Sequence, residues 1–403
     1  MFWEKINKHS NLVTIIIGLG MVILLWAMIN ANGEVAHSSM GYSSDTVFAR
    51  VNQIVEVGDI QLGEVAQKYQ IVKVEVLEGE HSNDFFTIDY GKRSILPSEK
   101  LLHLNDHIMV MITKMPNGDI NASFVDYVRT DSLIVLGIFF VLACFVVSGW
   151  KGFRSLVATG LSILIILFFI VPQINAGSNP ILISLVGSFV FLTLSQYLVY
   201  GWTMKTHLSL AGILFSIAIM GVLAGVFVNY AQLNGTGDES AIYLLQLPGQ
   251  INIKNLLIAG IIIGSLGIMD DLIVGQTSVV IEIFRANPNM SLRERFSRAM
   301  NVGRDHIAAT VNTLVFAYLG ASLPLFLLFT LGNANFVTLL NQSILAEEVV
   351  RTLVGTIGLF LAVPVSTFLA CWALDNPTRL AKMVTVFGPL LNPSEVTEEG
   401  HHH

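Results

Sequence analysis

The order of apolar and polar residues divides the chain into two kinds of segment. Eight stretches are predominantly apolar over about the length of a membrane span: 12–31, 132–150, 155–174, 180–200, 208–230, 256–283, 307–332 and 349–373. Each suffices to cross a bilayer core as a helix, which takes about 20 residues. Between the first two, apolar positions alternate with polar ones. Five short runs there, 47–55, 70–76, 85–90, 107–113 and 120–128, predict strands. Met115-Pro116-Asn117-Gly118-Asp119 has the chemistry of a hairpin turn, because Asn-Gly tolerates positive φ. The pattern predicts a polytopic α-helical membrane protein of about eight transmembrane helices, with a small extracytoplasmic all-β, OB-like domain between helices 1 and 2. The expected divisions are 1–32 (N-terminus and first span), 33–130 (β-domain), 131–376 (seven-helix membrane domain) and 377–403 (tail).

Charge supplies direction. Lys and Arg are retained on the cytoplasmic side. They occur as Lys5 and Lys8, as Lys151 and Arg154 after the second span, and as Lys205 after the fourth. Arg285, Arg293, Arg295, Arg298 and Arg304 follow the sixth, and Arg379 and Lys382 lie in the tail. The opposite short loops hold only Lys254 and Arg351, at span ends. Both termini are therefore expected in the cytoplasm, the β-domain outside, and the first span is read as an anchor rather than a cleaved signal. Gly400–His403 read as a purification-tag remnant. Only 13% of residues are charged, 53% are hydrophobic and the mean hydropathy is +0.66, so most of the chain is expected against lipid or other helices. A net charge of −7 excludes nucleic acid as an expected partner. Cys144 and Cys371 both lie in apolar spans and give no support to thiol chemistry. The β-domain holds 14 acidic and 8 basic residues and no metal or catalytic cluster, so it is read as a solvated assembly or gating domain.

The candidate chemistry sits in the sixth span. Asp270 lies 16 residues after Lys254 and 15 before Arg285, which puts Asp270 and Asp271 near the bilayer midplane. Carboxylates so deep are costly and mark pathways or proton relays. Gly260, Gly264, Gly267, Asp271, Gly275, Ser278 and Glu282 recur at three- and four-residue spacings and share one helical face. That face admits a close helix neighbour or lines a hydrated path. Asp270 and Thr277 point to a neighbouring face. Two adjacent charges in low dielectric repel, so at least one of the pair is expected to hold a proton near neutral pH. Asp271 is assigned the carrier role and Asp270 a modulating one, with Gln276, Ser278 and Glu282 continuing inward. The rival reading is a glycine-rich packing seam.

Ser291-Leu292-Arg293-Glu294 has the capping-box pattern and predicts a cytoplasmic amphipathic helix at about 291–302. Leu292, Phe296, Ala299 and Met300 form its apolar side, with Arg293, Arg295 and Arg298 on the other, so anionic lipid is expected to anchor it. Arg304 and Asp305 are read either as an interfacial pair or as part of the path. Thr310, Thr313 and Gly320 form a small face of the seventh span, with Asn312 beside it. In the eighth span, Glu347 and Glu348 are spaced to pair with Arg351, which is read as the outer counter-charge of an acidic path or as a surface ion pair. Gly355, Gly358 and Pro364 are expected to permit close packing and a bend.

Four stretches carry a family resemblance: Gly260–Glu282, Val302–Leu314, Gly320–Pro324 and Glu347–Pro364. Over roughly residues 130–375 the chain resembles the YibE/F family of bacterial membrane proteins, and the outer β-domain resembles that of its longer members. The resemblance implies a bacterial cytoplasmic (inner) membrane and a multi-pass topology. The small-residue faces Gly260/Gly264, Gly221/Gly225 and Gly355/Gly358 are more than one eight-helix bundle needs, so the expected partners besides membrane lipids are a second copy or a shorter family member lacking the outer domain. A more distant similarity is to half of the SecD/SecF and resistance-nodulation-division transporters, in which membrane carboxylates relay protons; Asp270 and Asp271 hold the matching positions.

Two functions follow. One is transport or translocation coupled to protons, of an unidentified small-molecule or ion substrate. The other is a non-transporting scaffold or accessory subunit that acts through its outer domain. No His-Glu-x-x-His, Gly-x-Ser-x-Gly or Walker motif is present, so no enzyme and no cofactor is expected.

Overall fold

The computed structural model describes residues 46–96, 101–114, 120–246, 251–331 and 335–391. The expected first span, the turn at 115–119 and the end of the tail lie outside the described residues. The chain divides into two compact units, with the boundary between Val147 and Ser148.

The first unit is a five-stranded sheet: β1 (Thr46–Leu62), β2 (Val65–Val76), β3 (Phe85–Tyr90), β4 (His107–Lys114) and β5 (Ile120–Tyr127). The strands run in the order β3-β2-β1-β4-β5 and every bonded pair is antiparallel. Alternate residues enter the core, as Val72, Val74 and Val76 do on β2 and Ile108, Val110 and Ile112 on β4. The sheet curls until its two edges meet: the Tyr90 hydroxyl of β3 bonds that of Tyr127 on β5 at 2.5 Å, and Phe124 packs edge-on to both rings. β1 and β2 are longer than the 47–55 and 70–76 expected. Their extra residues pair as a hairpin arm, Leu62 opposite Val65, with Gly63 at φ 62 in the turn. Val55, Val57 and Val65 on this arm are exposed, so no core face imposes an alternation there.

The second unit is helical. α1 (Thr130–Ile165) continues through a π-helical turn (Ile166–Ile170) into α2 (Val171–Asn175). Gly149, at φ 55 and ψ −141, interrupts α1 between the expected spans 132–150 and 155–174. Then come α3 (Pro180–Tyr200), α4 (Met204–Tyr230), α5 (Glu239–Gln246), α6 (Ile253–Ala286) and α7 (Leu292–Ala321). α8 (Leu323–Leu331), α9 (Phe336–Leu340), α10 (Ser343–Leu374) and α11 (Pro377–Phe387) complete it. Among the described residues five helical runs are long and apolar enough to cross a membrane, or six if α7 and α8, bent by 57°, are one broken span.

α4, α6 and α10 form the centre. Their core includes Ile213, Ile217 and Met220 from α4, Ile261, Ile262 and Met269 from α6, and Leu359, Ala362 and Val363 from α10. Between helices in lipid there is little hydrophobic drive, so close van der Waals packing over small residues holds them. A Cβ on Gly212 would stand 3.0 Å from that of Ser366, and one on Gly355 would stand 3.1 Å from Ser265 Oγ. Gly358 is filled over by the tips of Met220 and Met269.

The connector between the expected sixth and seventh spans differs from expectation. The predicted helix at 291–302 does not stop at Gly303: it is the first third of α7, opened by Ser291 Oγ accepting from Glu294 N at 3.3 Å. The break in the seventh span falls instead at Ser322. Arg295, expected on the solvated side, is buried at 1% exposure. It donates to the carbonyls of Met290 at 2.8 Å and Cys371 at 3.4 Å, and its guanidinium lies over the Phe284 ring. Helix α7 can run unbroken because Gly303 lets it press against its neighbours. A Cβ there would meet Val363 Cγ1 at 2.9 Å and Gln276 Oε1 at 3.0 Å.

Gly303→Ala should therefore cost about 1–3 kcal/mol, the range for overpacking, read as a lower unfolding midpoint in detergent. Gly225→Ala, which adds its methyl where nothing stands within 4 Å, should cost nothing in the same measurement.

Candidate functional site

The two aspartates separate as successive residues of one helix must. Asp270 turns toward α3, where Gln196 Nε2 donates to its Oδ1. Asp271 is exposed on the opposite side, in line with Gly267, Gly264 and Gly260. Around Asp270 the interacting polar groups are the neutral Gln196 amide and the like-charged Asp271. Gln196 is itself 1% exposed, and its Oε1 is buried without a partner among the described residues. The same holds for Ser184 Oγ and Ser188 Oγ on α3 and for Ser209 Oγ on α4. A carboxylate is thus held by a neutral amide. Such a group can exchange a proton without first breaking an ion pair.

The other expected path residues are dispersed. Gln276 is buried and knots three helices: its Nε2 donates to the Ala299 carbonyl of α7 at 2.9 Å and to Thr367 Oγ1 of α10 at 2.8 Å. The Thr367 hydroxyl in turn donates a hydrogen bond to the Val363 carbonyl. Ser278 bonds back to the Val274 carbonyl at 2.8 Å, and Glu282 pairs with Arg285 at 2.8 Å on the surface. Arg304 reaches Asn301 Oδ1 at 3.4 Å, while Asp305 is exposed. Asn312 and Thr313 are exposed on α7, with Thr313 bonded to the Ala309 carbonyl. Arg351 pairs with Glu348 at 2.7 Å. Glu347 does not take the i,i+4 place: it is 5% exposed and accepts from Gly237 N at 3.1 Å, tying the start of α10 to the loop after α4.

The glycines divide in the same way. Gly355 and Gly358 are buried in the helix core, and Gly275 is half-buried, with His306 Cε1 3.8 Å from where its Cβ would be. Gly260, Gly264, Gly267 and Gly320 are exposed. Among the described residues, one face of α6 and one face of α7, carrying these glycines, are therefore uncovered. Among the described residues, no group of three or more His, Cys, Asp or Glu side chains could hold a metal ion.

Sequence reasoning missed Gln196, Ser184 and Ser188. The signal was available, since polar side chains inside a span face the bundle rather than lipid. Alone in an uncharged span, though, they had no partner to point at until α3 was placed against α6.

Gln276→Leu removes a donor from two acceptors in a buried junction. The expected loss is about 1–3 kcal/mol, the cost of stranding such groups, measured as unfolding free energy in detergent.

No curated protein and no solved structure matches the chain. A family model described as YibE/F-like protein matches residues 136–376, from within α1 to the end of α10. That region holds both aspartates, Gln196, the Gln276 junction and the uncovered glycine face, and the chain belongs to the YibE/F family.

Proposed function

We propose that this protein is a proton-coupled membrane transporter or translocation protein of the bacterial cytoplasmic membrane. The observation that carries the reading is Asp270: a carboxylate in the middle of a helix bundle whose hydrogen-bond partner is a neutral amide. A permanent charge there would call for a cation. A group that is alternately protonated and bare calls for a neutral donor that tolerates both states. The burial of Asp270 favours it over the exposed Asp271 as the proton carrier, with Asp271 placed to face a partner. The helices with the first span and the two halves of α1 fit the eight-span reading, with both termini in the cytoplasm. The strand order, with β3 brought against β5, fits an OB-like barrel outside.

The test is proton flux into proteoliposomes, read with an internal pH dye under an imposed gradient. Wild-type protein should carry protons at least about tenfold faster than Asp270→Asn, a loss of about 1.4 kcal/mol or more in barrier terms. Equal rates, or a wild-type rate no faster than empty liposomes, would leave the scaffold reading in its place.

The uncovered face of α6 supports assembly with a second copy or a shorter family member. Gly260→Leu adds bulk where nothing stands within 4 Å. It should leave the unfolding midpoint unchanged and convert the oligomer to monomer in mild detergent. A wild-type protein already monomeric in native-lipid extraction would count against this.

Orientation is tested with single cysteines at Glu64 and Arg298, both exposed, in a background lacking Cys144 and Cys371. An impermeant maleimide added outside should label only the first.

A further inference from the structure

The stretch that follows α11 doubles back across the start of α4. The first N–H groups of α4 have no partner inside the helix, as at any helix start. Thr203 Oγ1 takes that of Thr206 at 3.2 Å. Those of Met204 and Lys205 donate to the carbonyls of Pro389 at 2.8 Å and Leu390 at 3.3 Å. The Trp202 indole donates to the Val386 carbonyl at 3.3 Å. Gly388, at φ 84, permits this approach, since a Cβ there would stand 2.5 Å from the Trp202 carbonyl oxygen. Residues 386–390 thus form a strap over the turn between α3 and α4.

His207 lies beneath that strap. Its ring centroid is 4.8 Å from that of Phe387, the last residue of α11, 4.5 Å from that of Trp202 and 5.5 Å from that of Tyr197. Nδ1 stands 2.7 Å from the Thr203 carbonyl, which can only accept, so Nδ1 carries the hydrogen of the neutral ring. Nε2 is then a bare lone pair, buried with no partner among the described residues. The neighbouring charges are directed elsewhere. Lys205 Nζ lies over the Tyr200 ring, Arg379 over the Trp372 ring, and Lys382 is exposed. On α6, Glu282 and Arg285 pair with each other. Tyr197 is the titratable group that faces the ring from α3, and among the described residues no carboxylate pairs with it. A second proton on this ring must go to Nε2. It would put a charged N–H among aromatic rings with no acceptor, which is costly. Lifting Phe387 lets water take that hydrogen bond.

We propose that the strap is a pH-sensitive latch, in which proton uptake at His207 Nε2 lifts Phe387 and residues 388–390 off the start of α4. The closed form is favoured while His207 is neutral and is lost as the pH falls. An imidazole in water titrates near pH 6.5. At pH 5.5 an open form that takes the proton therefore gains about tenfold on a closed form that does not, relative to pH 8. Opening frees the amides of Met204 and Lys205. The reading is independent of proton coupling at Asp270, and on the proposed topology the pH sensed is that of the cytoplasm.

Hydrogen exchange of the full chain in mild detergent, read by mass spectrometry at pH 8 and pH 5.5, tests it, with labelling times scaled to the intrinsic exchange rate. After scaling, peptides covering 203–207 and 384–391 should each exchange about tenfold faster at the lower pH. His207→Phe and His207→Gln do not titrate in this range, and each should abolish the acceleration, so that failure of one to fold leaves the other as the probe. Phe387→Ala should speed exchange of both peptides already at pH 8. Equal wild-type exchange at the two pH values overturns the proposal, as does acceleration confined to 384–391 or spread evenly over all the helices. Acceleration that survives the His207 substitutions, or a Phe387→Ala chain as protected as wild type, overturns it too.

Discussion

Everything in the helical unit depends on how closely α4, α6 and α10 approach one another. Gly212 against Ser366, Gly355 against Ser265, and Gly358 beneath two methionines remove the side chains that would hold the axes apart. Between helices in lipid this contact is the main source of cohesion, since hydrocarbon solvates leucine as well as a neighbouring helix does. The same closeness makes the interior dry. A dry interior makes the Gln276 junction stiff and the Asp270–Gln196 contact chemically consequential, because a polar group there finds partners only in the protein.

The polar residues of the membrane unit fall into two populations. Gln276, Thr367 and Arg295 spend their hydrogen bonds on neighbouring helices, and their role is to hold position. Gln196, Ser184 and Ser188 are buried with polar atoms unpartnered among the described residues, and the half-buried Asp270 accepts from the first of them. The division shows why the two aspartates, adjacent in sequence, are not equivalent. One looks into the bundle and the other away from it.

Much of this was legible before any coordinates. The membrane helices follow from runs of apolar residues, and β3, β4 and β5 from period-two alternation, because in each case burial dictates residue type. The arm of β1 and β2 was shortened because Val55 to Tyr69 has little core to face, so pairing there leaves no hydrophobic rhythm. The amphipathic helix at 291–302 and the seventh span are one helix, because Gly303 between them serves a close approach rather than an interruption. Helical spacing groups Arg295 with Arg293 and Arg298 on the solvated side of the connector, yet it is buried. What a single helix cannot reveal is the row of carbonyls at the end of another helix that receives it. For the candidate site, the position of Asp270 and Asp271 in the membrane could be counted from the flanking Lys254 and Arg285, but their opposite directions required the place of α3.

Arg295 also bears on how the chain is put together during synthesis. The carbonyl of Met290 is at hand as soon as α7 begins, but that of Cys371 is made 76 residues later. Until then the guanidinium lacks the acceptor that the end of α10 supplies. Gln276 waits in the same way for Thr367. The last long helix thus completes both junctions. A chain cut short before α10 would lack both the Cys371 carbonyl and the Thr367 hydroxyl, so Arg295 and Gln276 would each be left one acceptor short.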